Sequence, residues 1–177
     1  ALIKYKKDNF MLDVALAFNQ DYSNPTGFVS AGTAYNTTGF FSYKTMQMLY
    51  MKQKWEKLTA SLLLMNNGFQ EFDANNAADG VSNLQTVGTH LKYKEGSFGL
   101  AANAYLQTGK RQGAVDVQGA YLLGLDASYK ASAKVALGAG VEIISGNDGA
   151  AGETGAFFPL YGTNHKFNGF MDYFYVG

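Results

Sequence analysis

FGLAANAYLQ, residues 98–107, is the stretch that decides the fold of this chain, because its side chains alternate in character. The even positions carry Phe98, Leu100, Ala102, Ala104 and Leu106, and the odd positions carry Gly99, Ala101, Asn103, Tyr105 and Gln107. Successive side chains of a β-strand point to opposite faces, whereas a helix would scatter the same residues around its axis. The stretch therefore predicts a strand with one apolar face and one polar or small face.

The same period of two returns along most of the chain. It is found in residues 10–19, 58–65, 86–93, 121–130 and 134–143, and residues 45–55 and 168–177 are less regular but strand-like. The clean segments run for about 9–11 residues, the length of a tilted strand that crosses a bilayer. Soluble strands usually run for about five or six. We therefore expect one all-β domain, residues 1–177, of about eight or nine antiparallel up-and-down strands.

The segments between these strands alternate between short and long. Short turns are predicted at residues 7–9, 56–57, 94–97 and 131–133, and longer Gly-, Asn-, Asp- and Ser-rich connections at 19–44, 67–83, 108–117 and 145–168. Outer-membrane β-barrels have short turns at the periplasmic end and long loops at the other. This asymmetry favours a transmembrane barrel.

Aromatic residues recur beside the short turns. We expect an interfacial girdle, a ring of amphipathic side chains at one membrane surface, made of Tyr5, Trp55, Tyr93, Phe98 and Tyr129. At the opposite end, a second group could form another belt or line the loops: Tyr50, Phe69, Phe72, Phe157, Phe158 and Tyr161. Aromatic residues are also common in ordinary strands, so the repeated offset from the turns carries the prediction.

Composition narrows the classes of function. The chain is 47% hydrophobic and 15% aromatic, holds 21 glycines and no cysteine, and balances 14 basic with 14 acidic side chains. Without a basic stripe there is no source of phosphate affinity, so no nucleic-acid partner is expected. Disulfide and thiol chemistry are excluded. No apolar run approaches the roughly 18 residues of a membrane-spanning helix, and the first residues lack the layout of an export signal.

The polar face carries the side chains that we expect to line an aqueous interior. These candidates are Asp13, His90, Lys92, Asn103, Asp126, Lys134, Glu142 and Asp172. The competing fold is a soluble up-and-down barrel, in which the apolar face points inward and the outside is charged. The polar face here lacks the dense Lys and Glu coverage of a soluble exterior, which favours the membrane barrel with outer-membrane lipid around it.

The C-terminal stretch FFPLYGTNHKFNGFMDYF, residues 157–174, resembles Bacteroidota outer-membrane porin-like β-barrels of the alginate-export-like family. The similarity lies in the loop YGTNHKF and the following strand GFMD, about a tenth of the chain. The resemblance implies a larger barrel of about 16–18 strands, of which this chain would be an internal portion. The alternative is a complete small barrel of eight strands. Arg111 is the only arginine, whereas export of an acidic polymer would need a basic interior.

Catalytic chemistry has little support in the sequence. Of the two histidines, His90 lies on a predicted strand and His165 in the last long loop. Ser128, His90 and Asp126 could face one interior as a triad, but such residues are expected in any polar barrel wall. The loops around Asp73 and Asp148 do not match the spacing of a calcium loop. We therefore expect no enzyme activity, no cofactor and no metal site. Three functions follow in order: a porin-like outer-membrane channel for small polar solutes or saccharides, a structural or accessory barrel held by other outer-membrane proteins, and an outer-membrane barrel enzyme.

Overall fold

The computed structural model describes residues 1–18, 43–75, 77–111, 113–147, 149 and 152–160. These residues form β-strands joined by turns, and no helix occurs among them. The strands are β1 (Leu2–Lys7), β2 (Phe10–Phe18), β3 (Thr45–Lys54), β4 (Leu58–Phe72), β5 (Ala78–Glu95), β6 (Phe98–Arg111), β7 (Val115–Lys130), β8 (Ala136–Ile144) and β9 (Glu153–Thr154). Within the described ranges, no helix is long and apolar enough to span a membrane.

Strands β1 to β8 lie side by side in chain order, and every neighbouring pair is antiparallel. The prediction of an all-β, antiparallel, up-and-down sheet is confirmed. The short strand β9 departs from it, because it pairs in parallel with Asp116 and Val117 of β7. The sheet is not closed within the described residues, where β1 and β8 are its two edges.

The register keeps the alternating residues of neighbouring strands on matching faces. Asp13 lies opposite Tyr50, and His90 lies opposite Asn103, so these belong to one face, hereafter the polar face. Leu100 lies between Tyr93 and Ala127 on the other, apolar face. Many large side chains of the apolar face are exposed, among them Leu16, Phe18, Leu64, Val87, Leu106, Leu123, Leu125 and Val141. The described residues form one sheet and include no second layer that covers these side chains.

The short turns lie where the alternation predicts them. The β1–β2 turn is Asp8-Asn9, with Asp8 in the left-handed region at a φ of 50°, and the β5–β6 turn contains Gly96 at a φ of 55°. Asp and Gly tolerate this conformation better than most residues, which suits both turns. All four short turns lie at the same end of the sheet, because consecutive strands alternate in direction.

Two of the predicted long loops are wrong. Strand β4 continues to Phe72 and β5 begins at Ala78, while β6 continues to Arg111 and β7 begins at Val115. The polar residues of these extensions pair with one another: the Asn66 amide donates to Gln47 Oε1 at 2.6 Å, and the Gln85 amide donates to Asn66 Oδ1 at 2.9 Å. The Gly-, Asn-, Asp- and Ser-rich composition predicted loops here. It could not reveal these hydrogen bonds, because they join side chains from three different strands. The connection at 19–44 lies almost wholly outside the described residues.

The strand extensions enclose a small core on the polar face. It consists of Phe69, Leu84, Val117 and Ala120, each at most 4% exposed. Phe157 and Leu160, from the segment after β9, pack against this core. Phe69 and Phe157 therefore do not form an exposed second belt. Their burial follows from the segment 155–160, hereafter the strap, which folds back over the sheet.

Candidate functional site

The polar face brings together most of the residues predicted to line an aqueous interior. Asp13 lies on β2, His90 and Lys92 on β5, Asn103 on β6, Asp126 on β7 and Glu142 on β8. The register places all six on the same side of the sheet, because residues paired across strands share a face. The polar face is therefore the candidate functional surface.

Lys134 does not belong to this surface, contrary to the prediction. Strand β8 begins at Ala136, and Lys134 lies in the β7–β8 turn. The hydroxyl of Ser132 accepts hydrogen bonds from the backbone amides of Lys134 at 3.2 Å and Val135 at 3.1 Å, which holds these residues in the turn. A serine side chain that binds backbone amides in this way competes with strand pairing. Asp172, the remaining candidate, lies outside the described residues.

His90 and Asn103 form a direct polar contact on the face. The Nδ1 atom of His90 lies 2.6 Å from the side-chain oxygen of Asn103, and the Ser61 hydroxyl donates to the His90 carbonyl at 3.5 Å. An amide oxygen can only accept, so His90 Nδ1 is the donor in this contact, and the Nε2 atom of the ring and the Asn103 amide nitrogen remain for other partners. The pair can therefore offer both a donor, from the Asn103 amide, and an acceptor to a polar solute.

The charged residues of the polar face carry both signs. The Lys4 ammonium lies 3.9 Å from Asp13, whose side chain is 13% exposed, and Asp13 Oδ1 has no hydrogen-bond partner among the described residues. Lys92, Asp126 and Glu142 take part in none of the ion pairs that the described ranges contain. Their charges are thus open to solvent and solute. A surface of mixed sign gives no strong preference for anions or cations.

Small residues let larger side chains lie flat against the polar face. A Cβ atom on Gly88 would stand 1.8 Å from Cδ1 of Tyr105, so the Tyr105 ring covers Gly88 directly. In the same way the Asp126 carboxylate lies over Gly140, where a Cβ atom would be 2.2 Å from Oδ1. A flat arrangement keeps these groups close to the sheet and leaves room in front of it.

The five aromatic residues predicted as a girdle lie at the short-turn end of the sheet. Tyr5, Tyr93, Phe98 and Tyr129 share the apolar face by register, and Trp55 directly follows β3. Tyr93 donates from its hydroxyl to Glu95, whose carboxylate also forms an ion pair with Lys57. The aromatic rings at the short-turn end of the sheet therefore lie next to charged side chains.

A second polar centre, around Gln107, was not predicted from the sequence. Its amide donates to the Phe158 carbonyl at 2.8 Å and to Thr86 Oγ1 at 3.2 Å, and its oxygen accepts from the Phe158 amide at 2.8 Å. The Arg111 guanidinium lies 4.4 Å from the centre of the Phe158 ring. The alternation placed Gln107 on the polar face, but nothing local signalled a partner 51 residues away.

Among the described residues, no group of three or more His, Cys, Asp or Glu side chains could hold a metal ion. Comparison of the chain with protein-family models, with curated proteins and with solved structures found no match.

Proposed function

We propose that this chain forms part of the wall of a bacterial outer-membrane β-barrel, a porin-like channel that lets small polar solutes or saccharides pass. The apolar face would contact lipid and the polar face would line the passage. The similarity of residues 157–174 to alginate-export-like barrels agrees with this proposal, but it concerns residues that are mostly outside the described part of the chain.

The proposal rests on one observation: the strand register places apolar side chains on one face of the sheet and polar side chains on the other. Leu16, Leu106, Leu125 and Val141 are each about half exposed on one face, and Asp13, His90, Asn103 and Asp126 lie on the other. An exposed apolar patch of this extent is costly in water. A hydrocarbon surrounding removes that cost, and strands cross it only when all their backbone groups are paired.

The height of the apolar band fits a bilayer. From Phe98 to Leu106 the apolar face of β6 extends for about 27 Å at a rise of about 3.4 Å per residue, or about 21 Å along the membrane normal at a tilt of about 40°. The outer apolar band of known barrels is about 25 Å tall. The aromatic residues would border it at one end, and the hydrogen-bonded row of Gln47, Asn66 and Gln85 at the other.

The solute class follows from the polar face. It combines the His90–Asn103 pair, hydroxyl groups such as that of the exposed Ser128, and charges of both signs. Amide, imidazole and hydroxyl groups exchange hydrogen bonds with polar solutes, including saccharides. The mixed charge argues against an acidic polymer as the main substrate.

The test is reconstitution of the full-length protein in planar bilayers and in liposomes. We expect discrete single-channel conductance steps with weak ion selectivity, and liposome swelling with monosaccharides. A protein that is folded in the bilayer but electrically silent, and that co-purifies with a stoichiometric membrane partner, would contradict the channel and support the structural or accessory barrel.

A further inference from the structure

The strap lies across the polar face at the end opposite the short turns. After β8, β9 pairs with Asp116 and Val117 of β7, and the strap then reaches the small core formed by β4, β5 and β7. Three strand spacings of about 4.8 Å separate β4 from β7, so the strap covers about 14 Å of the sheet. Its position is on the face that carries His90 and Asn103.

Gln107 holds the strap in this position. Its side chain is 2% exposed and forms a donor and an acceptor hydrogen bond with the backbone of Phe158, each at 2.8 Å. An amide group of this kind pairs with a peptide unit as a neighbouring strand would. Release of the strap would break both of these hydrogen bonds and uncover the small core, which is unfavourable. The strap is therefore a fixed part of the polar face.

A charged side chain also lies against the strap. The Phe158 ring holds the Arg111 guanidinium at 4.4 Å from its centre, a cation–π distance. Phe157 and Leu160 face the small core, so the strap is attached on its apolar side. Arg111 therefore places a positive charge beside the strap.

We propose that the strap is the constriction that sets the upper size of the solutes, with Gln107 as the positioning residue. This inference rests on the proposed function, in which the polar face lines a passage. Gln107 lies four residues after Asn103 on the same strand, about 14 Å away at about 3.4 Å per residue. A solute that moves along the polar face must therefore pass the strap. A packed layer adds about 10 Å of thickness to a sheet, which narrows the passage at this level.

The test compares Gln107→Leu with Gln85→Leu in the full-length protein. Both changes remove an amide from adjacent strands, at positions one residue apart in the register. Gln85, however, lies on the apolar face and bonds only to Asn66 in the described ranges. We expect Gln107→Leu to raise the single-channel conductance about twofold or more and to admit larger oligosaccharides in liposome swelling. Gln85→Leu should leave both unchanged.

A second measurement reports on the strap without channel activity. The protein has no cysteine, and Val117 is buried beneath the strap. The cysteine introduced by Val117→Cys should resist a water-soluble thiol reagent, and it should react when Gln107→Leu is added. If Gln107→Leu does not fold, Gln107→Glu replaces it in both measurements. Glutamate has the size of glutamine and keeps an acceptor oxygen, but it lacks the amide that donates to the Phe158 carbonyl.

The outcomes separate the two proposals. If the introduced cysteine reacts but the conductance and the size limit stay as in the parent protein, the strap is released and is not the constriction. If the cysteine is equally reactive with and without Gln107→Leu, Gln107 does not position the strap, and the inference is wrong. If neither the parent protein nor the Gln107→Leu variant conducts, the proposed channel is refuted together with its constriction. Conductance that appears only with Gln107→Leu would support a strap that closes the passage.

Discussion

Among the described glycines, Gly88 leaves the least room for a side chain. The Tyr105 ring occupies the space that any side chain at position 88 would need. Gly124, on the same face two strands away, has only Asn103 Nδ2 at 3.4 Å from a Cβ position. The two glycines therefore have different roles: the first makes room for a ring, and the second does not.

We expect Gly88→Ala to lower the free energy of unfolding by about 1–3 kcal/mol, because the Tyr105 ring must leave its position. Gly124→Ala is the matched control and should change it by no more than about 0.5–1 kcal/mol, since alanine fits and favours a strand. Urea unfolding of the protein in lipid vesicles measures both. Equal effects of the two variants would contradict the packing of Tyr105 on Gly88.

Asp73 organises the turn between β4 and β5. Its Oδ1 accepts hydrogen bonds from the amides of Asn75 and Ala77, both at 2.8 Å. The hydrogen bonds from the Ala77 and Asn75 backbones hold the pKa of Asp73 below its ordinary value of 3.8. Because the pKa is lowered, the Asp73 carboxylate stabilises the turn at pH values above 3.8. This stabilisation is lost as the pH falls through the lower pKa of the folded state.

The amide proton resonances of Asn75 and Ala77 should therefore shift together in an acid titration, with a midpoint below 3.8. Asp73→Ala should abolish the shared transition because the acceptor is gone. Asp79→Ala, which changes a carboxylate in the same hairpin, should leave it in place. A transition that survives Asp73→Ala would assign the shift to another group.

At the scale of the elements, Glu71 ties one hairpin to another. Its carboxylate, near the end of β4, accepts hydrogen bonds from the amides of Gly113 at 3.0 and 3.1 Å and of Ala114 at 3.2 Å. Ala114 has a φ of 54°, a conformation unfavourable for alanine. The contact therefore joins the β6–β7 tip to β4, although β5 and β6 lie between β4 and β7 in the strand order.

Glu71→Ala should free the β6–β7 tip. Loss of hydrogen bonds to a charged group raises the population of the open tip, and trypsin cleavage after Lys110 or Arg111 should become about tenfold faster. Glu142→Ala removes a carboxylate from the same face without touching this turn, and cleavage there should stay at the parent rate. A cleavage rate at the tip that does not change in Glu71→Ala would show that the contact does not restrain it.

For the whole molecule, the two faces of the sheet differ in whether they tolerate a charged side chain. Leu125 and Asp126 are neighbours on β7, the first on the apolar face and the second on the polar face. Both are exposed, so neither is constrained by a packed interior. The environment outside the protein therefore decides which of them tolerates a charge.

Leu125→Arg should destabilise the folded protein in lipid vesicles by about 2–4 kcal/mol, the cost of arginine at the middle of a bilayer. Asp126→Arg should fold about as well as the parent and shift the ion selectivity of the channel toward anions. Urea titration and the heat-dependent gel mobility of the folded barrel report the first effect, and reversal potentials the second. Equal stability of the two variants would contradict a lipid-facing apolar face.

The sequence by itself determined the strands, their antiparallel order, the short turns and the two faces. The reason is covalent: side chains of a strand alternate with a period of two, so the face of Asn103 or Asp126 can be read from its immediate neighbours. Six of the eight candidate residues lie on the polar face. Lys134 lies instead in a turn that the Ser132 hydroxyl holds, and Asp172 lies outside the described residues.

Only the tertiary structure decided where β4 to β7 end, that a small core lies on the polar face, and that the strap covers it. These features depend on partners distant in the chain, such as Gln107 with Phe158 and Asn66 with Gln85. Gly-, Asn- and Ser-rich sequence signals a loop when it is read locally. The same residues extend strands when side chains from neighbouring strands satisfy their hydrogen bonds, because burial of a polar group is tolerated only when it is paired.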